Sequence, residues 1–129
     1  MKTFVIDAYA WIEYFDGSKQ GEKVKAIVEN FDNRTYTNTL TIAELSSFFT
    51  RKSKSFDEPK KIIFSLSTHY PIDLKFAEEA GILYAKVKKE RKNMSLADVF
   101  VLLTAQRSQA KVVTGDEDFR GLKETYMIK

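Results

Sequence analysis

Short apolar runs rich in β-branched residues alternate along the chain with longer segments in which apolar residues recur every three or four positions. The short runs predict buried strands and the longer segments predict amphipathic helices. Strands are expected at residues 3–7, 34–38, 111–115 and 125–128, with extended chain at 69–74. Helices are expected at residues 10–15, 22–30, 58–67, 75–91 and 95–109, and from about residue 41. This alternation predicts an α/β fold with an open, mainly parallel sheet flanked by helices.

Composition narrows the class of protein. The 129 residues are 43% hydrophobic and 30% charged, without linkers or repeats, as expected of one globular domain. The absence of cysteine excludes disulfide frameworks, thiolate metal sites and cysteine nucleophiles. The chain has neither a signal peptide nor a run of about 18 apolar residues, so we expect a cytoplasmic protein. Lys plus Arg exceed Asp plus Glu by 21 to 18, a net charge of +3 that is compatible with an anionic partner.

Four acidic residues follow strands or begin helices: Asp7, Glu44, Asp98 and Asp116. Asp7 and Asp116 come after predicted strands, while Glu44 and Asp98 lie near the starts of helices expected from Thr41 and Ser95. In a parallel sheet these points lie at the edge formed by the carboxyl ends of the strands, where open α/β sheets bind ligands. The sequence therefore predicts that the four carboxylates lie close together.

Each of these carboxylates also has a purely structural explanation. Segments 41–44 and 95–98 have the spacing of capping boxes, and Asp7 and Asp116 could be simple helix caps. As a group, however, four carboxylates at one edge would repel each other and lose hydration, and no Lys or Arg adjoins any of them in sequence. A hard divalent cation such as Mg²⁺ or Mn²⁺ would relieve that repulsion with oxygen ligands alone.

Four short motifs carry a resemblance to a known family. They are VIDAYAWIEYF from residue 5, TIAEL around Glu44, SLADVFVLLTA around Asp98 and VVTGDEDF around Asp116. In their order and layout they resemble the PIN-domain nucleases, and more narrowly the short VapC-type toxins of VapBC toxin–antitoxin systems. The resemblance implies a single PIN-like domain over residues 1–129 with a three-layer α/β/α fold. It also implies a Mg²⁺- or Mn²⁺-dependent endoribonuclease.

The resemblance assigns roles to the acidic residues. It places the family's acidic quartet at Asp7, Glu44, Asp98 and Asp116. Asp7, Asp98 and Asp116 would be metal ligands, and Glu44 would hold a second metal or orient the attacking water. Thr114 would be the accompanying hydroxyl residue and Asp118 an additional acid. The implied partners are an RNA substrate, a VapB-type antitoxin and a second copy of the chain in a homodimer.

The sequence departs from the family at Ala8, where many PIN domains have Ser or Thr after the first aspartate. Two other phosphoryl-transfer classes fit less well. A haloacid-dehalogenase-like phosphatase needs an Asp at the position of Tyr9, and a receiver domain needs an acidic pair in its first loop and a lysine after its last strand. A PIN fold that binds RNA or protein without catalysis, or a PIN nuclease that is not a toxin, remains an alternative.

The remaining chemistry-bearing residues are ambiguous from sequence. His69 is the only histidine, and we expect it at a strand edge or in the core. Basic residues cluster at 51–54, 60–61 and 86–92, as either solvated surface or a phosphate-binding rim beside the acids. The aromatic and apolar residues of the first helices are candidates for antitoxin contact or for core, namely Trp11, Ile12, Phe15, Phe48 and Phe49.

Overall fold

Five parallel strands form the central sheet in the computed structural model, which covers residues 1–129. The strands are β1 (Thr3–Ile6), β2 (Arg34–Asn38), β3 (Thr68–Tyr70), β4 (Lys111–Thr114) and β5 (Thr125–Met127). The helices are α1 (Ala8–Asp16), α2 (Lys19–Val28), α3 (Thr39–Arg51), α4 (Asp57–Leu66), α5 (Leu74–Val87) and α6 (Leu96–Ser108), with a 3₁₀ turn η1 (Glu117–Phe119). The strand order is β3-β2-β1-β4-β5, and every neighbouring pair is parallel. The predicted α/β fold with a parallel sheet is confirmed.

Two apolar clusters cover the two faces of the sheet. Phe4 and Ile6 of β1 pack with residues of α1 and α2, whereas Val5 between them packs with residues of α6. This alternation follows from the two-residue period of a strand, which sends successive side chains to opposite faces. Helix α6 lies against β1 and β4, and most of its middle residues are buried, as predicted for residues 95–109. The result is the expected three-layer arrangement.

The start of α3 differs from the prediction. The helix begins at Thr39, and Asn38 caps it by accepting a hydrogen bond from the Thr41 backbone N–H at 2.8 Å. The prediction of a capping box between Thr41 and Glu44 is therefore wrong. Asparagine is as good a cap as threonine, and Asn38 is fixed at the end of β2 by donating to the Thr104 hydroxyl at 3.2 Å. Glu44 consequently lies in the second turn of α3.

Helix α5 is shorter than predicted, because it ends at Val87 rather than at Arg91. Residues 88–91 are rich in Lys, Glu and Arg, which are good helix formers, so the sequence favours a longer helix. The apolar stripe nevertheless stops at Val87, and the next buried side chain is Met94. The chain leaves the helix once there is no apolar face left to bury.

The sheet has its topological switch point between β1 and β4. From β1 the chain continues to β2 and β3 on one side, and later to β4 and β5 on the other. Ligands of open α/β sheets bind at the carboxyl ends of the strands that flank such a point. None of the helices has the length and apolar character needed to cross a membrane.

Candidate metal centre

Asp7 and Asp116 follow the two strands that flank the switch point. Asp7 caps α1, and its buried carboxylate accepts a hydrogen bond from the Ala10 backbone N–H at 2.8 Å. Asp116 caps η1 and accepts from the Asp118 backbone N–H at 2.9 Å. Both residues are therefore caps, as the structural explanation requires, and both lie where a ligand is expected.

Thr114 joins these two aspartates. It is fully buried at the end of β4, and its side chain lies close enough to the Asp7 carboxylate to lower the pKa of that group. The Thr114 hydroxyl oxygen accepts a hydrogen bond from the Asp116 backbone N–H at 3.0 Å. Thr114 therefore links the surroundings of the first carboxylate to the start of the loop that carries the last one.

The two remaining predicted acids come from helices. Asp98 forms a capping box with Ser95, and that box orients its carboxylate at the start of α6. Glu44 projects from α3 and is close enough to Asp98 for their charges to interact. Asp98 also interacts with Asp116 and Asp7. The structure therefore brings the four sequence-predicted acids to one edge of the sheet.

Asp118 has a more central position than the sequence indicated. Carboxylate oxygens of Asp98, Asp116 and Asp118 all lie within 4.8 Å of one another. Asp7 and Glu44 lie outside this close group of three. The signal in the sequence was the spacing of Asp116 and Asp118, because a tight turn after a strand can turn residues i and i+2 toward the same side. An array of carboxylate oxygens suits a hard divalent cation.

Glu117, between those two aspartates, belongs to a different set of contacts. Its carboxylate accepts hydrogen bonds from the Arg120 guanidinium at 2.6 and 3.0 Å and lies 3.9 Å from the Lys129 ammonium. The hydrogen bonds from Arg120 lower the pKa of Glu117. Of the three consecutive acids, the middle one is therefore neutralised on the surface and does not add to the carboxylate group.

Burial makes Asp7 the most strongly perturbed of these acids. Loss of hydration raises its pKa to about 7, against the opposing hydrogen bonds from Thr114 and Ala10, and the charges of Asp98 and Asp116 add to the increase. In the absence of a cation, the ionised form of Asp7 is therefore costly at neutral pH.

The neighbouring acids are perturbed in the same direction. Loss of hydration, and then repulsion by Asp116 and Asp118, raise the pKa of Asp98, although its hydrogen bonds with Ser95 oppose this. The pKa of Glu44 is raised by loss of hydration and by the charge of Asp98. The pKa of Asp118 is raised by partial loss of hydration and by Asp116. Such mutual destabilisation of charged forms is what a bound cation would relieve.

Arg91 differs from the other basic residues of the run at 86–92 because its side chain donates hydrogen bonds to the backbone of a distant loop. One nitrogen of its guanidinium donates to the backbone carbonyls of Asp118 and Arg120, both at 3.0 Å. It therefore holds η1 in place. Lys92, its neighbour, is exposed and lines a cleft of about 250 Å³ together with Asn93 and Asp118. Both residues thus line the cleft beside Asp118, Lys92 with an exposed side chain and Arg91 with its guanidinium hydrogen bonded to the loop.

The other ambiguous residues lie outside the carboxylate group. His69 is exposed on the edge strand β3 and shares a hydrogen bond with the Thr39 hydroxyl at 2.8 Å. Trp11 is completely buried and donates to the Thr37 hydroxyl at 3.0 Å, so it is core rather than partner surface. The other aromatic and apolar candidates line a groove of about 210 Å³ between α1 and α3, namely Ile12, Phe15, Phe48 and Phe49.

The chain resembles known proteins in both sequence profile and fold. The profile of the PIN domain matches residues 4–124. No individual curated protein matches the sequence significantly. A toxin–antitoxin complex from Klebsiella pneumoniae contains a chain with a TM-score of 0.73 and 18% identity, covering 97% of both chains.

Two further solved structures have the same fold. The VapBC complex from Rickettsia felis, bound to a DNA fragment from its promoter, gives a TM-score of 0.74 at 13% identity, over 97% of this chain and 96% of that one. The VapC toxin from Mycobacterium tuberculosis that cleaves the sarcin–ricin loop gives a TM-score of 0.74 at 13% identity, over 93% of this chain and 95% of that one. At these identities the structural similarity concerns the fold.

Proposed function

This chain belongs to the PIN domain family, and on that premise we propose that it is a metal-dependent endoribonuclease that hydrolyses RNA phosphodiester bonds, acting as the toxin of a VapBC-type pair. The observation that carries the proposal is the meeting of five acidic side chains at the switch point, with three carboxylate oxygens within 4.8 Å of one another. In this proposal residues 1–129 form one PIN domain.

The proposed site consists of the acidic quartet, supported by Asp118 and Thr114. Its catalytic acids are Asp7, Glu44, Asp98 and Asp116. The residues that would hold Mg²⁺ or Mn²⁺ are Asp98, Asp116 and Asp118, which form the close group, with Asp7 and Glu44 on either side of it. The donor set consists only of carboxylate oxygens, which fits these two metals and excludes the softer ligands that zinc and copper sites favour.

A bound divalent cation would offset the negative charge of the phosphate and lower the pKa of water. The protein supplies orientation. The Ala10 backbone N–H fixes the Asp7 carboxylate, with Thr114 beside it, and the Ser95 backbone N–H fixes the carboxylate of Asp98. Glu44, whose charge interacts with that of Asp98, would accept a hydrogen bond from the attacking water. Rigid placement of such groups accounts for a large part of catalytic rate enhancement.

We propose RNA as the substrate because a candidate metal centre, which would bind one phosphate, lies beside an exposed cationic side chain, which would bind a neighbouring phosphate of the same polyanion. Lys92 borders Asp118 and forms no ion pair with the protein, so its charge is available to a phosphate adjacent to the scissile one. Among the proteins with this fold, one is described as a toxin that cleaves the sarcin–ricin loop. We place the reaction in the cytoplasm, where such substrates occur.

The proposed partners follow from the toxin assignment. One protein with this fold is described as part of a toxin–antitoxin complex, and another as a member of the VapBC family of toxin–antitoxin systems. In this chain the groove between α1 and α3 offers apolar side chains bordered by Asp16, Lys52 and Lys54, which would suit an amphipathic helix of an antitoxin. A homodimer is also proposed. Light scattering of the protein alone and with its antitoxin would test both assemblies.

Cleavage of a mixed RNA pool tests the function directly. The wild type should cleave with Mg²⁺ or Mn²⁺ and stop when EDTA is added, whereas Asp98→Asn should be inactive. Asp73→Asn is the matched control. Asp73 is the N-cap of α5 and, like Asp98 at the start of α6, accepts a backbone hydrogen bond through its carboxylate, but it lies outside the carboxylate group. Equal cleavage by the wild type with and without EDTA, or by Asp98→Asn, would refute the proposal.

A further inference from the structure

Gly115 lies directly beneath the ring of Tyr9. A Cβ atom added at Gly115 would be 2.2 Å from Tyr9 Cε1 and 2.6 Å from Cζ, far inside contact distance. The glycine is not needed for its backbone conformation, because the only glycines with positive φ are Gly17 and Gly121. The position lacks a side chain because the Tyr9 ring occupies the space that a side chain would need.

This contact is the last of three between the start of α1 and the end of β4. The Asp7 backbone N–H donates to the Val113 carbonyl at 3.4 Å, and the Thr114 side chain lies close enough to the Asp7 carboxylate to lower its pKa. Tyr9 then packs on Gly115, the residue immediately before Asp116. Residues at the start of α1 therefore contact three consecutive residues, from the end of β4 to the loop that carries Asp116 and Asp118.

Gln20 of α2 closes the other side of the contact. Its Oε1 atom would lie 2.7 Å from a Cβ at Gly115, and this oxygen is buried without a hydrogen-bond partner. Tyr9 also packs against the cluster of core residues on this face of the sheet. The half-buried ring is thus packed between the core, Gln20 and the loop at Gly115.

We infer that Tyr9 is a positioning residue of the carboxylate site, whose ring fixes the path of the backbone from Thr114 to Asp116. The inference rests on the proposed function for its catalytic consequence, but the contact itself can be tested without metal or RNA. Misplacement of a reacting group by about 1 Å can cost roughly 100-fold in rate. Crowding or removal of the ring should therefore affect cleavage more than it affects folding.

The experiment compares Gly115→Ala, Tyr9→Ala, the double variant and Tyr9→Phe with the wild type. The ¹H–¹⁵N NMR signals of the Asp116 and Asp118 amides, recorded in EDTA, report the loop, and RNA cleavage with Mn²⁺ reports the site. Tyr14→Ala is the control, because Tyr14 is an aromatic residue of the same helix that packs on Trp11 and bonds to Glu29 instead.

Gly115→Ala should shift both amide signals and lower cleavage by about 100-fold, and Tyr9→Ala should lower it by about tenfold. In the double variant only the flexible end of the Gln20 side chain remains near the new Cβ atom, and it can shift into the space left by the ring. The signals and cleavage of the double variant should therefore match those of Tyr9→Ala alone rather than show the product of the two losses. Tyr9→Phe should behave as the wild type, which keeps the test valid even if Gly115→Ala does not fold.

Unchanged amide signals in Gly115→Ala and Tyr9→Ala, multiplicative losses in the double variant, or a defect in Tyr14→Ala equal to that in Tyr9→Ala would overturn the inference. Amide signals that shift and recover as expected, in a wild type that cleaves no RNA, would instead refute the proposed nuclease function while leaving the positioning role of Tyr9 in place. The two failures are therefore distinguishable.

Discussion

Ser95 and Asp98 cap each other at the start of α6: the Ser95 hydroxyl accepts from the Asp98 N–H at 3.1 Å, and Asp98 Oδ2 accepts from the Ser95 N–H at 3.0 Å. The same carboxylate has an oxygen within 4.8 Å of those of Asp116 and Asp118. The structural explanation of Asp98 is therefore confirmed, and it is compatible with the proposed role in a metal site. The cap fixes the direction of the carboxylate, and this orientation is what a metal site requires.

Replacement of Asp98 by asparagine should separate these two roles. The asparagine oxygen can still accept the hydrogen bond from Ser95, but one charge is removed from the acidic group. We expect the variant, in EDTA, to be more stable than the wild type by about 1 kcal/mol, because like-charge repulsion is reduced. Stabilisation by Mn²⁺ should be lost. Thermal unfolding with EDTA and with Mn²⁺ measures both effects, and a variant less stable than the wild type in EDTA would show that the cap is the main role.

The raised pKa of Asp7 predicts an unusual dependence of stability on pH. Burial raises this pKa from 3.8 to about 7, so between these values the folded protein binds a proton that the unfolded chain has lost. In EDTA the contribution of Asp7 to the free energy of unfolding should therefore be largest below pH 4. This contribution should fall by on the order of 4 kcal/mol as the pH rises through 7.

Asp7→Asn provides the control for that prediction. Asparagine can still cap α1 by accepting from Ala10, but it does not titrate in this range. Denaturant unfolding of both proteins in EDTA from pH 4 to pH 8 should give curves that diverge, with the variant gaining relative stability as the pH rises. Added Mn²⁺ should remove most of the decline in the wild type. Parallel curves would mean that Asp7 is hydrated or paired when the protein is folded.

Much of the fold was predictable because its signals are local. Strand β2 was predicted at its observed bounds, and Asp7 and Asp116 were placed at the ends of β1 and β4, because β-branched runs and the acids that follow them are adjacent in sequence. The parallel sheet then brings these ends together by topology. The order of the elements thus sufficed to predict that four acids meet, without any knowledge of distances.

What the sequence did not predict depends on contacts between distant segments. The contact of Tyr9 with Gly115 links residues that are more than a hundred positions apart in the chain. No sequence pattern at either residue indicates that the two are in contact. Arg91 resembled its lysine neighbours in sequence, and only the fold distinguishes it by placing two carbonyl groups within its reach. The central position of Asp118 depends in turn on the geometry of η1.

The Arg91 contact gives a further prediction about the loop. Arg91→Lys keeps the charge, but an ammonium group on a shorter side chain does not reproduce the contact of the planar guanidinium with the carbonyls of Asp118 and Arg120. We expect the free energy of unfolding to fall by about 1–2 kcal/mol and the affinity for Mn²⁺ to fall severalfold, because Asp118 is held less firmly. Calorimetric titration with Mn²⁺ measures the second effect. Unchanged affinity in a destabilised variant would show that Arg91 serves the fold alone.

Lys92 should behave in the opposite way to Arg91, because its ammonium group is exposed and makes no contact that holds the fold together. Lys92→Ala should leave stability and Mn²⁺ affinity unchanged. Its binding to a single-stranded RNA, measured in the inactive Asp98→Asn background, should weaken severalfold, and the slope of log K against log salt should become shallower by about 1. Lys23→Ala on α2 is the matched exposed lysine and should change neither quantity. If both lysine variants weaken RNA binding equally, the attraction comes from the net charge of the protein, and the RNA does not pass along the cleft beside Asp118.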